Sequence, residues 1–206
     1  MAYQFTRIAV KIGSNVLARK DGTPDVTRMS ALVDQIAELH KAGVEVILIS
    51  SGAVASGRSE IKPSKKLDSV DQRQLFSAVG QAKLINRYYE LFREYDITVG
   101  QVLTTKESFA TRRHYLNQRN CMMVMLENGV IPIVNENDTI STDEIEFGDN
   151  DTLSALVAAL TGADMLILLS DIDGLFTDDP NQNPNAEFID LVEKLDSHLD
   201  AMAKDT

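Results

Sequence analysis

Val44 to Ile49 reads Val-Glu-Val-Ile-Leu-Ile, a nearly unbroken apolar run bounded by Gly43 before it and Ser50-Ser51-Gly52 after it. A strand with one wet face alternates apolar and polar residues, so a continuous run marks a strand covered on both faces. The run does not stand alone. Ile8 to Ile12, Val130 to Val134 and Met165 to Leu169 repeat it, Ile97 to Leu103 reads as a further strand, and helical patterns lie between them. Thr27 to Ala42 places Met29, Leu32, Val33, Ile36 and Leu39 on one face, and Asp71 to Tyr95 does so with Leu75, Ala78, Ala82, Ile85, Tyr89 and Phe92. Arg113 to Asn128 and Thr152 to Leu160 are the remaining long helices, and a short one is expected over Ser197 to Ala203. Buried strands alternating with helices imply an α/β fold, a three-layer α/β/α sandwich around a mainly parallel sheet.

Such sheets bind ligands at the carboxyl ends of their strands. Polar clusters stand at four of these ends: Gly13-Ser14-Asn15, Ser50-Ser51-Gly52, Asn135-Glu136-Asn137-Asp138 and Ser170-Asp171. A fifth, Phe147-Gly148-Asp149-Asn150-Asp151, opens a helical pattern. One reading makes Asp149 a helix cap and the rest turn chemistry. The other uses the free N–H groups of the first turn, with the acidic side chains orienting cations beside a bound anion. Thr139 to Phe147 reads as a hairpin or an irregular lid, Ile61 to Val70 reads as a loop, and Asp171 to Asn185 carries turn chemistry, including Pro180 and Pro184.

Lys11 is the one charge in its apolar strand. It reads either as a snorkelling side chain or as a cation aimed at a phosphoryl group, with Gly13 opening the backbone beside it. Gly52-Ala53-Val54-Ala55-Ser56-Gly57-Arg58-Ser59 has the glycine spacing of a phosphate loop, with Arg58 where the motif has lysine. Ala53-Val54-Ala55 looks like helix interior, so helix is the expectation, and Gly52 is expected to let backbone approach a ligand.

The formal charge of -11 argues against non-specific nucleic-acid binding, and no apolar run approaches the roughly 20 residues of a membrane span. The start lacks a signal-peptide pattern, which makes a cytoplasmic location the expectation. Cys121, the only cysteine, is expected to be a core thiol among Met122, Met123 and Met125. His40, His114 and His198 are scattered, which disfavours a histidine metal site, and His40 and His198 are expected on solvated helix faces. No G-x-S-x-G appears, and no serine hydrolase is expected.

Taken in order, Val10-Lys11-Ile12-Gly13-Ser14-Asn15-Val16-Leu17, Ser51-Gly52-Ala53-Val54-Ala55-Ser56-Gly57, Ala78-Val79-Gly80-Gln81 and Gly100-Gln101-Val102-Leu103 resemble the amino acid kinase family. Asn135-Glu136-Asn137-Asp138, Phe147-Gly148-Asp149-Asn150-Asp151 and Ser170-Asp171-Ile172-Asp173-Gly174-Leu175-Phe176 continue the resemblance. The Ser-Gly-Ala, Ala-Val-Gly-Gln, Asn-Glu-Asn-Asp and Phe-Gly-Asp-Asn-Asp pieces are those of its glutamate-phosphorylating members.

The resemblance implies transfer of the ATP γ-phosphoryl group to the side-chain carboxylate of L-glutamate, giving the acyl phosphate that begins proline synthesis. It makes Lys11 the phosphoryl-stabilising lysine and Asp151 its organiser. It assigns glutamate binding to Ser51, Asp138 and Asn150, with Gly52, Ala53 and Asp149 in the same loops. It places nucleotide at Lys11, Gly13, Ser170 and Asp171, and Mg²⁺ on the ATP phosphates with few protein ligands. Residues 1–206 would form one kinase domain, about 1–150 binding glutamate and about 151–206 beginning the ATP-binding part. A homo-oligomer, dimer or tetramer, with proline as feedback inhibitor is also implied. The family's glycine-rich G-T-G-G-M-x-T-K segment, which supplies a second catalytic lysine, is not found before Thr206. The domain is therefore expected to be C-terminally incomplete, with activity of residues 1–206 alone in question. Rival readings are a kinase of acetylglutamate, aspartate, carbamate or a nucleoside monophosphate, or a non-catalytic module that senses glutamate or proline.

Overall fold

The computed structural model describes residues 4–19, 23–140 and 150–194. They fall into two compact units, one through Leu169 and one from Ser170 onward.

The first unit is built on β1 (Arg7–Ile12), β2 (Glu45–Ser50), β3 (Val99–Thr104), β4 (Ile131–Glu136) and β5 (Met165–Leu169). All pair in parallel, in the order β3-β4-β2-β1-β5. Around them lie α1 (Ser14–Leu17), α2 (Val26–Lys41), α3 (Ala53–Glu60), α4 (Ser69–Arg93), α5 (Glu107–Ala110), α6 (Arg112–Glu127) and α7 (Asn150–Thr161). The α/β reading therefore holds. The predicted strands appear within two residues of their expected bounds, and so do the long helices. The helices start where side chains supply missing acceptors: Asp25 for α2, Asp68 for α4 and Thr111 for α6.

Because strand side chains alternate, each strand feeds two cores. Ile8, Val10 and Ile12 of β1 join Val46 and Leu48 of β2 on one face, against Val33 and Ile36 of α2 and Tyr88 and Phe92 of α4. Ala9, Ile47 and Ile49 face the other way, against Met122 of α6 and Leu153, Val157 and Leu160 of α7. The same alternation aims Lys11 toward the α7 side, Ser50 toward the α4 side and Asn135, after Val134, toward α4.

The expected face of α4 is off by one position. Its buried residues are Phe76, Ser77, Gly80, Gln81, Leu84, Tyr88 and Phe92, whereas Ala78, Ala82 and Tyr89 are exposed. The reason is α3. A Cβ on Gly80 would sit 1.7 Å from the Ala53 carbonyl oxygen, and one on Gly57 would sit 1.9 Å from that of Phe76. The two helices interlock through bare backbone, so the buried stripe carries glycine and polar residues that hydropathy does not count as core.

Two further expectations need correction. Cys121 is exposed, because the buried stripe of α6 runs through Met122 and Leu126. His40 is half-buried near the end of α2, and burial holds its imidazole below the ordinary histidine range. The four-residue helices α1 and α5 are too short to carry a hydrophobic period.

The second unit contains β6 (Leu175–Phe176) paired antiparallel with β7 (Phe188–Ile189), with Phe176 and Phe188 edge to face. Asp178 and Asp179 accept hydrogen bonds throughout the turn between them, in line with the turn chemistry expected there. Most of the proposed hairpin or lid and the Ser197–Ala203 helix lie outside the described residues. Among the described residues no helix is long and apolar enough to cross a membrane.

Candidate active site

Three strand ends and one helix start converge in the first unit. Lys11 is 8% exposed, and its ammonium contacts the Asp151 carboxylate in the first turn of α7. An ion buried to that degree is kept only with a partner, and the side of β1 on which Lys11 stands makes α7 the source of that partner. Gly13 follows directly. A Cβ there would lie 3.3 Å from the Leu169 carbonyl oxygen and 3.6 Å from Lys11 Nζ. Glycine thus keeps open the space beside the ammonium, where an anionic group can approach. The Gly13 N–H donates to Leu169 O at 3.0 Å and ties this turn to β5.

At the end of β2, Ser51 donates its N–H to Ile12 O at 3.2 Å, which sets the two strand ends side by side. Gly52 then turns with φ +111°, a left-handed conformation that side chains resist, and becomes the N-cap of α3. Residues Ala53 to Arg58 are helical. Arg58 lies over the Phe76 ring, 5.7 Å from its centroid, and Gly57 packs on α4. The phosphate-loop spacing is therefore helix packing, as the helix-interior reading expected.

Asn150, next to Asp151, donates from Nδ2 to Ser51 Oγ and, at 3.5 Å, toward Asn135 Oδ1. Asn135 is buried and donates from Nδ2 to Gln81 Oε1 at 2.8 Å. A chain of amides and a hydroxyl thus runs from α4 through β4 and α7 to β2. Because Ser51 Oγ accepts from Asn150, its own proton is available to donate to an incoming acceptor. Beneath it, fully buried Tyr88 shares a 2.8 Å hydrogen bond with Ser50 Oγ, and burial pushes its hydroxyl well above the usual tyrosine range.

Lys11, Gly13 and Asp151 are thus adjacent, and Ser51 and Asn150 are paired. Gly52 and Ala53 begin the helix that follows Ser51. Asp138 lines a cleft of about 320 Å³ that it shares with Gln81, Asn137 and Thr139. Asp149 lies outside the described residues. Ser170 and Asp171 belong to the second unit, where the Ser170 hydroxyl approaches Asp171 Oδ1 at 3.5 Å. Gln81 and Asn135 were not singled out as site residues from sequence. Both stand in motifs that were noted, and a carboxamide inside an apolar helix face or strand end was the available signal. Among the described residues no three His, Cys, Asp or Glu side chains cluster as metal ligands.

Comparison with known proteins finds close relatives of the chain. The chain is 76% identical over 186 residues to a protein of Bacteroides thetaiotaomicron named glutamate 5-kinase, covering 90% of this chain and 52% of the relative. It is 43% identical to the glutamate 5-kinase of Clostridium acetobutylicum, covering 96% of this chain and 74% of the relative. With glutamate 5-kinase 2 of Bacillus subtilis it shares 44% identity, over 97% of this chain and 54% of the relative. The chain therefore spans about half the length of two of these relatives and three quarters of the third. The model of the amino acid kinase family matches residues 6–203, and the chain belongs to the amino acid kinase family.

Proposed function

We propose that this protein transfers the γ-phosphoryl group of ATP to the side-chain carboxylate of L-glutamate. The product is L-glutamyl 5-phosphate, and the reaction would open proline biosynthesis. The observation that carries this reading is the double reach of two consecutive residues: Asp151 holds Lys11 while Asn150 holds Ser51. One helix start thereby couples a buried cation to a hydrogen-bonding pair, the two elements that phosphorylation of a small carboxylate requires. The names of the relatives support glutamate as the acceptor.

In the transfer a carboxylate oxygen forms a bond to the γ-phosphorus while the bond from that phosphorus to the β-bridging oxygen breaks, and ADP departs. Little covalent work falls to the protein. Alignment and charge neutralisation dominate. Lys11, in the space that Gly13 leaves open, neutralises charge on the moving phosphoryl group, and Asp151 fixes its direction. The Ser51 hydroxyl and Asn150 amide orient glutamate, and Asp138 receives its ammonium group. Gly52 and Ala53 follow Ser51 on the substrate side, where α3 begins, and Asp149 belongs to the same sequence motif as Asn150 and Asp151. Ser170 and Asp171 begin the nucleotide site, so that residues up to about 150 bind glutamate and those beyond begin the ATP part. An ammonium beside open backbone fits a polyphosphate. Mg²⁺, when bound, screens the phosphates, and its ligands would come mainly from ATP. Proline as a feedback inhibitor and assembly into a homo-oligomer belong to the same proposal.

A panel of acceptors tests it. With Mg-ATP and hydroxylamine as trap, the protein at its natural length should form hydroxamate from glutamate and far less from aspartate, acetylglutamate or carbamate. Equal or better turnover of another acceptor would displace glutamate.

A further inference from the structure

A second cleft, of about 350 Å³, has none of the Lys11, Asp151, Ser51, Asn135 or Asn150 side chains in its walls. It is built from Arg19, the start of α2, and facing sides of α3 and α4. Its size falls at the small end of small-molecule sites. Its charge runs against that of the chain. Acidic residues outnumber basic ones 31 to 20 overall, yet among the described residues Arg19, Lys83 and Arg87 line this cleft with Glu60 as the one acid. Its floor is apolar: Met29 is 1% exposed and Leu84 is 4% exposed.

The ion pairs narrow the ligand. Lys83 is held by Glu60, which leaves two arginines against the cleft. Arg87 pairs with Glu90 at 3.0 Å, but both side chains are more than 40% exposed, and such surface pairs exchange readily for another anion. Guanidinium groups match a planar carboxylate through two parallel hydrogen bonds. A hydrated dianion gains nothing from the Met29 and Leu84 floor, whereas a short hydrocarbon body does.

We propose that this cleft is a second small-molecule site, for a compact carboxylate with a short apolar body. The carboxylate meets Arg19 and Arg87, and the body packs on Met29 and Leu84. The proposal stands independently of the glutamate reading.

Met29 supplies the readout. The protein at its natural length, carrying ¹³C-labelled methionine methyl groups with Met29 assigned through Met29→Leu, is titrated with isobutyrate. Inorganic phosphate serves as the charge alone and isobutyramide as the body alone. The Met29 signal should shift saturably with isobutyrate, while Met122, in the core on the other face of the sheet, stays in place. Phosphate and isobutyramide should each bind at least about tenfold more weakly, and Arg19→Gln with Arg87→Gln should weaken isobutyrate by about tenfold or more, the loss expected from charge-assisted hydrogen bonds. Lys11→Ala should leave the response unchanged. A Met29 signal that does not move, an equal response to phosphate or isobutyramide, a response surviving the double substitution, or one lost in Lys11→Ala would overturn the proposal.

Discussion

Lys11 and Asp151 lie at opposite ends of the first unit's sequence, and they meet because β1 turns Lys11 toward the helix whose first turn holds Asp151. If this ammonium stabilises the phosphoryl group in flight, Lys11→Ala should lower kcat far more than it raises the KM for glutamate. Losing such a contact costs on the order of 10²–10³ in rate. Lys11→Arg should restore only part, since a planar fork does not replace a point charge. Steady-state kinetics decide the matter, and a variant retaining nearly all of its activity would remove Lys11 from the mechanism.

Asp138 should separate substrate from nucleotide. It stands on the Gln81 cleft and, in the proposed reading, meets the glutamate ammonium group. Asp138→Ala should raise the KM for glutamate strongly, consistent with the roughly 2–5 kcal/mol lost when one partner of a desolvated charge pair is removed. The KM for ATP should hardly move. Equal weakening of both would make the segment a structural support.

Gly80→Ala should damage stability although it adds only a methyl group. The new Cβ would fall 1.7 Å from the Ala53 carbonyl oxygen, and backbone cannot swing aside as a side chain can. Overpacking of this kind costs about 1–3 kcal/mol or more. For a chain of this size that is roughly 2–4 °C in Tm per kcal/mol. Ala78→Ser, at an exposed position on the same helix, should leave the melting curve in place.

His40 gives the fold a mild acid sensitivity. Burial lowers its pKa, and its Nδ1 is enclosed with no hydrogen-bond partner among the described residues. Between its folded value and the usual histidine value near 6.5, the unfolded chain binds the proton that the folded one refuses. Stability from this group is therefore complete above about pH 6.5 and falls as pH drops through that window. Urea midpoints near pH 7 and near pH 5.5 should differ less in His40→Leu than in the parent. An unchanged difference would assign the acid sensitivity to other groups.

The sheet was legible because its central strands, β1, β2 and β4, are buried on both faces and mostly apolar, a pattern that few other architectures produce. The polar strand ends were legible for the same reason, as interruptions of that pattern. The packing of α4 was not. Its buried stripe contains Ser77, Gly80 and Gln81, the first and last polar and the middle one bare, so a hydrophobic count moved the stripe by one residue. That same departure from apolar character links α4 to the site through Gln81 and Asn135. Cys121 was misplaced because residue type was read without the helix period, which puts Met122 inside instead. Pairings such as Asn150 with Ser51 depend on which strand ends become neighbours, and the spatial order β4-β2-β1 is not written in the sequence order.

The central claim is that phosphorus moves from ATP to the side-chain carboxylate of glutamate. Oxygen-18 in that carboxylate follows the step directly. The protein at its natural length is given Mg-ATP, labelled glutamate and hydroxylamine, and the released phosphate is read by ³¹P NMR. Attack of hydroxylamine on the acyl carbon expels phosphate together with the bridging oxygen. The account predicts phosphate carrying one labelled oxygen from side-chain-labelled glutamate, and none when only the α-carboxylate is labelled. Unlabelled phosphate from the side-chain-labelled substrate, or label arriving from the α-carboxylate, would contradict it.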